Sequence, residues 1–187
     1  MQRRTFSKML VSLPLLGFAC RSLAGPVSSK KEIDEMQKTW KALLADNAEV
    51  VATPTPPLTL ANAEWKKKLN AAAYNVLREE GTEYAGSSPL NNEKRPGVFA
   101  CAGCNLALFT SAMKYDSGTG WPSFFTTIPG VFGTTTDYKL IYPRTEYHCA
   151  RCGGHHGHIF NDGPQPTGLR YCNNGVALRF IPKSGKA

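Results

Sequence analysis

Residues 97–109 read Gly97-Val98-Phe99-Ala100-Cys101-Ala102-Gly103-Cys104-Asn105-Leu106-Ala107-Leu108-Phe109. Two apolar runs, each too short to make a helix, flank a turn that carries two cysteines. Short apolar runs bounded by Gly, Pro and Asn read as strands, so this stretch predicts two strands joined by a thiol-bearing turn. Outward from it the same pattern continues. Tyr138–Tyr142, Glu146–Cys149 and Val176–Ile181 are further short apolar runs set between turn residues. The 17 glycines and 13 prolines of the 187-residue chain fit a turn-rich domain of this kind. The expected fold is mainly β and antiparallel.

The turn recurs. Cys149-Ala150-Arg151-Cys152 follows the first pair after 44 residues. Two residues between cysteines let a tight turn aim both sulfurs at one ion, and two such turns supply the four thiolates of a closed structural zinc site. Gly103 and Gly153 offer the backbone freedom those turns need. Two alternatives stand beside zinc. A CxxC can be a redox dithiol, but those pairs usually open a helix in a βαβ unit, and no helical pattern follows either pair here. The cysteines can also form structural disulfides, which an oxidising compartment favours.

Before residue 95 the periodicity is helical. Trp65, Leu69, Ala73, Val76 and Leu77 form one stripe, predicting a helix from Asn62 to a stop at Gly81. Ile33, Met36, Trp40, Leu43 and Leu44 form a second stripe, a short amphipathic helix that packs on the domain or on a partner. Thr53-Pro54-Thr55-Pro56-Pro57 reads as a stiff linker. Residues 25–57 are thus expected to be a helical extension with a Pro-rich linker, and 58–187 the domain that carries the motifs.

Residues 1–24 read MQRRTFSKMLVSLPLLGFACRSLA. A basic start precedes a twelve-residue apolar run, Met9–Cys20, which is shorter than the roughly 20 residues a spanning helix needs. This is the pattern of a secretory signal, cut ahead of Gly25, with no stable membrane insertion. Arg3-Arg4 with Phe6 and Lys8 gives it a twin-arginine character. An exported, periplasmic protein that leaves the cytosol folded is expected. Such a route lets the thiolates load zinc before they meet an oxidising compartment. Cys20 is also placed where a lipoprotein cysteine sits, but Gly17 stands where an aliphatic residue is usual. Formal net charge is +8, and +4 once the four unopposed basic residues of this segment are removed. The remainder is scattered among acids, so nucleic acid is not an expected partner.

Cys172 is the cysteine left over. In Leu169-Arg170-Tyr171-Cys172-Asn173-Asn174-Gly175 an extended backbone puts Arg170 beside Cys172 and Asn174 on its other side. A neighbouring guanidinium favours the thiolate, the nucleophilic form. The competing reading is a buried structural cysteine. Gly153–Gly163 carries His155, His156 and His158 together with Asp162. The glycines place His155 and His158 on a turn, as proton donors with Asp162 orienting one ring, or as a second metal site or satisfied surface histidines. Trp121, held between Gly120 and Pro122, either walls an apolar pocket with Phe124 and Phe125 or fills the core.

Together these segments resemble the methionine-(R)-sulfoxide reductase family. The resemblance rests on Trp65-Lys66, Gly81-Thr82-Glu83, the two CxxC pairs, Tyr115-Asp116-Ser117-Gly118 and Gly120-Trp121-Pro122-Ser123-Phe124. It continues through Gly157-His158-Ile159-Phe160, Asp162–Gly168 and Arg170-Tyr171-Cys172, over residues 62–182. It implies two antiparallel sheets with short N-terminal helices and a structural zinc on Cys101, Cys104, Cys149 and Cys152, remote from the chemistry. It implies that Cys172 is the nucleophile, that Trp121 packs on the substrate methyl group, and that His155 and His158 bind and protonate the sulfoxide oxygen. Asp162, Arg170 and Asn174 would support the charge arrangement. The expected substrate is methionine-(R)-sulfoxide in oxidised proteins or peptides. Many family members carry a second cysteine where this chain has Thr119, so the expected cycle leaves a sulfenic acid on Cys172 for an external thiol reductant, thioredoxin-like or glutathione-like. The rival readings are a zinc-knuckle binding module and a periplasmic thiol–disulfide exchange protein.

Overall fold

The stretch over 97–109 forms two antiparallel strands, β1 (Gly97–Cys101) and β2 (Ala107–Thr110), in a computed structural model that describes residues 29–44, 49–140 and 142–183. β9 (Leu178–Pro182) pairs along the other edge of β1 to complete a three-stranded sheet, β2-β1-β9. Every residue of β1 and β2 is buried. That explains why these runs are continuously apolar rather than alternating: both faces are covered.

The second sheet has six strands in the order β3-β4-β8-β7-β6-β5. They are β3 (Lys114–Tyr115), β4 (Ser123–Phe124), β5 (Phe132–Asp137), β6 (Arg144–Cys149), β7 (His155–Phe160) and β8 (Arg170–Asn173). All neighbours are antiparallel. The chain is therefore mainly β, with two antiparallel sheets and short helices. Between them lies an aromatic core. Phe109 stacks on Phe124 at 3.9 Å, Phe99 meets Phe124 edge-on at 5.1 Å, and Tyr147 closes on Phe132 and Tyr171. Burying each such side chain stabilises by about 1.5–3 kcal/mol, so this cluster ties one sheet to the other.

Three expectations are corrected. The helix predicted from Asn62 to Gly81 is two helices, α2 (Asn62–Lys68) and α3 (Ala71–Glu79). Leu69 ends the first and Asn70 caps the next, its Oδ1 accepting from the Ala73 N–H at 2.8 Å. Of the run Tyr138–Tyr142, the described residues Tyr138–Leu140 and Tyr142 belong to no strand: Asp137 Oδ1 accepts from the Lys139 N–H at 2.8 Å and turns the chain at once. The histidines at 155–158 belong to strand β7 rather than to a turn.

The N-terminal extension packs on the domain. Its helix, α1 (Lys30–Thr39), begins with a capping box between Ser29 and Glu32. Ile33 and Trp40 are buried, and Gln37 Nε2 donates to Thr126 Oγ1 and the Thr127 carbonyl, both at 2.9 Å. Val51 makes a parallel bridge to Leu106, and the Leu58 N–H donates to the Arg151 carbonyl at 2.7 Å. The Pro-rich stretch is thus laid along the domain between two anchors. No helix among the described residues is long and apolar enough to cross a membrane. The expected signal segment and Cys20 lie outside the described residues.

Candidate functional site

Antiparallel register sets directly opposed residues on the same face of a sheet. Across the six-stranded sheet one such row runs Tyr115, Ser123, Cys172, His158, Glu146, Thr135. Two residues further along their strands, Arg170, Phe160, Arg144 and Asp137 share that face. The sheet therefore brings Cys172 and His158 side by side, although thirteen residues of chain lie between them. A register shift between β6 and β7 at Tyr147/His148 sets His155 opposite His148. The His155 ring reaches Glu146 Oε1 at 2.7 Å and lies 5.5 Å from the His158 ring.

A cavity of about 130 Å³ opens on this face. Cys172, His158, Trp121, Phe160, Arg144 and Thr82 line it, with Gly157, Asn173 and Asn174. The Trp121 Nε1–H donates to the Glu83 carbonyl at 3.2 Å. The Glu83 carboxylate in turn accepts from the N–H groups of Gly175 and Val176 at 2.6 and 2.9 Å. The segment of Thr82 and Glu83 is thereby tied both to Trp121 and to the turn after β8.

Several site residues sit differently from the sequence reading. Phe124 is wholly buried in the stack with Phe109, and Phe125 is buried beside it. Neither lines the cavity: Phe160 supplies the aromatic wall expected of Phe124. Asn174 lies beyond the end of β8, so it does not flank Cys172 along a strand. Its Oδ1 accepts from the Glu83 N–H at 2.9 Å and its Nδ2 donates to the His156 carbonyl at 3.0 Å, so it fastens the cavity wall. Asp162 does not orient a histidine. It takes a bidentate pair from Arg170, Nε and Nη2 both at 2.8 Å, while the guanidinium stacks over Phe160 at 4.3 Å. The rings are oriented by two carboxylates the sequence reading missed, Glu146 for His155 and Asp137 for His158, the latter at 2.8 Å. Asp137 also accepts from Arg144 at 2.5 Å. Pairing 144–149 and 155–160 as strands of period two puts Glu146 and Arg144 on the site face; Asp137 ends β5, whose Phe-Gly-Thr-Thr-Thr-Asp sequence has no apolar run to mark it as a strand.

The charge states follow from burial. Cys172 is half-buried. Desolvation pushes its thiol above the ordinary value, and the pull of Arg170 and of the Thr119 hydroxyl in the other direction does not overcome it. The resting group is a thiol: Arg170 pulls towards the thiolate, as its spacing predicts, and burial outweighs it. Burial likewise pushes His158 down, against the opposing pull of Asp137. Asp137 is held well below the carboxylate range, first by the Lys139 N–H and then by His158 and Arg144. Thr119 Oγ1 is 2.8 Å from Ser117 Oγ, which is 2.8 Å from Ser123 Oγ in the strand beside Cys172.

The two CxxC turns are near copies. In each, the first cysteine's carbonyl accepts from the residue after the second cysteine, Asn105 or Gly153, at 2.8 Å. In each, the first cysteine's N–H donates to the residue five further on, Leu106 or Gly154, at 2.8 Å. Asn105 and Gly153 take the left-handed conformation, φ 60° and 68°, a region open to Gly and Asn. Gly103, expected to supply that freedom, does not; Asn105 does. The four sulfurs lie within 4.8 Å of one another. Cys101 and Cys152 sulfurs are 3.7 Å apart, and those of Cys104 and Cys149 are 3.5 Å apart. These separations are far beyond a disulfide bond of about 2.05 Å, and they match the edge of about 3.8 Å in a tetrahedron with metal–sulfur bonds near 2.3 Å. The set fits one metal ion. All four cysteines are buried, which leaves no open dithiol for exchange chemistry.

A cysteine beside a carboxylate-held histidine and an arginine, on the cavity face of a sheet stapled elsewhere by four thiols, defines a protein built for thiol chemistry. Comparison with known sequences gives the family. The SelR domain matches residues 69–182. The chain is 42% identical over 165 residues to peptide methionine sulfoxide reductase B1, chloroplastic, of Arabidopsis thaliana, covering 88% of this chain and 81% of that one. It is 46% identical over 121 residues to peptide methionine sulfoxide reductase MsrB of Leptospira interrogans, covering 64% and 92%. With the MsrB of Methanosarcina barkeri it shares 48% over 118 residues, covering 63% and 83%. The chain belongs to the SelR-domain, or MsrB, family.

Proposed function

We propose that this protein reduces methionine-(R)-sulfoxide in peptides and proteins to methionine, with Cys172 as the nucleophile and an external thiol as the reductant. The observation that carries this is the juxtaposition of Cys172 and His158 as opposed residues on adjacent strands, lining one cavity with Trp121. The indole and Phe160 offer an apolar wall to the S-methyl group, and His158 offers a proton site to the oxygen. With Nε2 committed to Asp137, Nδ1 is the ring atom left for proton traffic.

Because thiol and imidazole both rest neutral, the Cys172 proton is itself the one the oxygen needs. Cys172 Sγ attacks the sulfoxide sulfur as its proton passes by way of His158 to the oxygen. The transient Sγ–sulfur bond and the substrate S–O bond then both break as the hydroxyl passes to Sγ, so that an S–O bond forms at Cys172. The sulfoxide gains two electrons and leaves as methionine; Cys172 is oxidised to the sulfenic acid. Arg170, fixed by Asp162, stabilises negative charge on sulfur during the step. Thr119 cannot form a disulfide, so one external thiol attacks the sulfenic sulfur with loss of water and a second releases Cys172 as a thiol, leaving with the first as a disulfide.

For the four-cysteine cluster we propose zinc, held as a structural ion that fixes the two turns and takes no part in the reaction. Residues 1–24 we read as a twin-arginine signal removed after Ala24, residues 25–57 as an extension of the catalytic domain, and the mature protein as periplasmic. The test of the activity is turnover of the separated epimers of N-acetyl-methionine sulfoxide with dithiothreitol. The (R) epimer should be reduced and the (S) epimer not, and Cys172→Ser should lose at least about a thousandfold in kcat/KM. Equal turnover of both epimers, or activity retained in Cys172→Ser, would sink the proposal.

A further inference from the structure

Among the described residues, the exposed large apolar side chains are Tyr84, Tyr138, Leu140 and Tyr142, at 89%, 77%, 58% and 78% exposure. Isolated exposed apolar residues need no explanation, but a group that adjoins a site does. These four adjoin the cavity through the chain itself. Tyr84 is two residues from Thr82 in the cavity wall and follows Glu83, which holds Trp121. Tyr142 is two residues from Arg144 in the same wall, and Tyr138 follows Asp137, which holds His158. The charged residue among them, Lys139, is turned onto Glu80, an ion pair that joins the two segments and withdraws the charge from the apolar surface. The two segments that supply Thr82 and Arg144 to the cavity wall thus carry these exposed apolar side chains, and the Lys139–Glu80 ion pair joins one segment to the other.

A cavity of about 130 Å³ accommodates a side chain but not the backbone that bears it. Residues on either side of the reacting methionine must therefore lie outside it, where the segments that supply its wall continue. We propose that Tyr84, Tyr138, Leu140 and Tyr142 form a docking surface for those flanking residues, and that the preferred partner is a polypeptide segment with uncharged, apolar side chains next to the oxidised methionine. Tyrosines suit the task, since they present large contact area at small conformational cost. The proposal rests on the reductase reading and adds to it a specificity that the catalytic residues do not explain.

The test compares three substrates on the purified protein: N-acetyl-methionine-(R)-sulfoxide amide, a pentapeptide with Leu and Phe flanking the sulfoxide, and the same pentapeptide with Glu in the flanks. In the wild type the apolar peptide should exceed the acidic one about tenfold in kcat/KM, through KM, the effect of burying about one aliphatic side chain. In Tyr84→Ser/Tyr138→Ser/Leu140→Ser/Tyr142→Ser that ratio should fall to about one to two. The conservative Tyr84→Phe/Tyr138→Phe/Tyr142→Phe protein should keep the preference. A wild type that does not distinguish the peptides, or a serine variant that keeps the full ratio, overturns the docking surface while leaving turnover of the amide intact. Failure of the wild type to reduce the amide overturns the reductase reading and this surface with it.

Discussion

Two titratable groups at the site rest in the uncharged form, and one cause serves for both. Burial raises Cys172 and lowers His158, while Arg170 and Asp137 pull in the opposite directions. Their neighbour on the other face of β7, His156, is pushed furthest, down to about 4, by complete burial against Asn173. Its folded value lies below the unfolded value of about 6.5. As pH falls, the unfolded chain therefore takes up a proton that the folded chain refuses, and stability falls between about 6.5 and 4 by at most roughly 1.4 kcal/mol per pH unit. Urea unfolding at pH 7 and pH 5 should show a loss of about 2 kcal/mol, and His156→Gln should be markedly less pH-sensitive. An unchanged pH slope in the variant would assign the effect elsewhere. At this scale Cys172 was legible by elimination, and Arg170 by its spacing of two in an extended segment. The charge state was not legible, because desolvation depends on what the other strands bring over the residue. Asp162, Asp137 and Glu146 make the same point: which carboxylate meets which cation is decided across strands.

β7 is the element on which the site turns, and the one its own sequence disguises. His155-His156-Gly157-His158 lacks the apolar alternation of a half-buried strand. The glycine is there for closeness: at φ 154°, a Cβ on Gly157 would stand 2.0 Å from the carbonyl oxygen of Cys172. Gly157→Ala should therefore destabilise by about 2–3 kcal/mol, lowering Tm by about 8 °C. It should also reduce kcat/KM, since the clash falls on the backbone of Cys172 itself. Calorimetry and peptide turnover check both; a variant that melts with the wild type would show that the two strands do not approach so closely. The strands around the CxxC turns were legible because they are apolar on both faces. The break between α2 and α3 was not, since the stripe of Trp65, Leu69 and Ala73 continues through it, and only the cap at Asn70 marks the interruption. The loop after Asp137 was read as a strand because its apolar side chains imitate one; they are exposed rather than paired.

Across the whole molecule the parts divide between holding and reacting. The four-cysteine cluster closes the ends of β1 and β6 and is braced by arginines, Arg78 donating to the Cys152 carbonyl at 2.8 Å and Arg151 to that of Cys104 at 2.6 Å. The cavity lies on the outer face of the six-stranded sheet, away from these turns. Stripping the metal with a strong chelator should release about one zinc per chain and lower Tm by more than about 10 °C, given the large share of folding energy a structural zinc supplies. A metal-free protein with unaltered Tm would contradict the structural role. The two CxxC motifs made the cluster plain from the sequence, whereas the sheet face that carries the chemistry emerged only when register was known. The central claim is that Cys172 alone takes up the oxygen. It is tested most directly by mass spectrometry of the protein after one exposure to the (R)-sulfoxide without reductant. One oxygen on the peptide containing Cys172, trapped by dimedone, is the predicted result. An intramolecular disulfide, or a Cys172 that remains unmodified while methionine is formed, would contradict it.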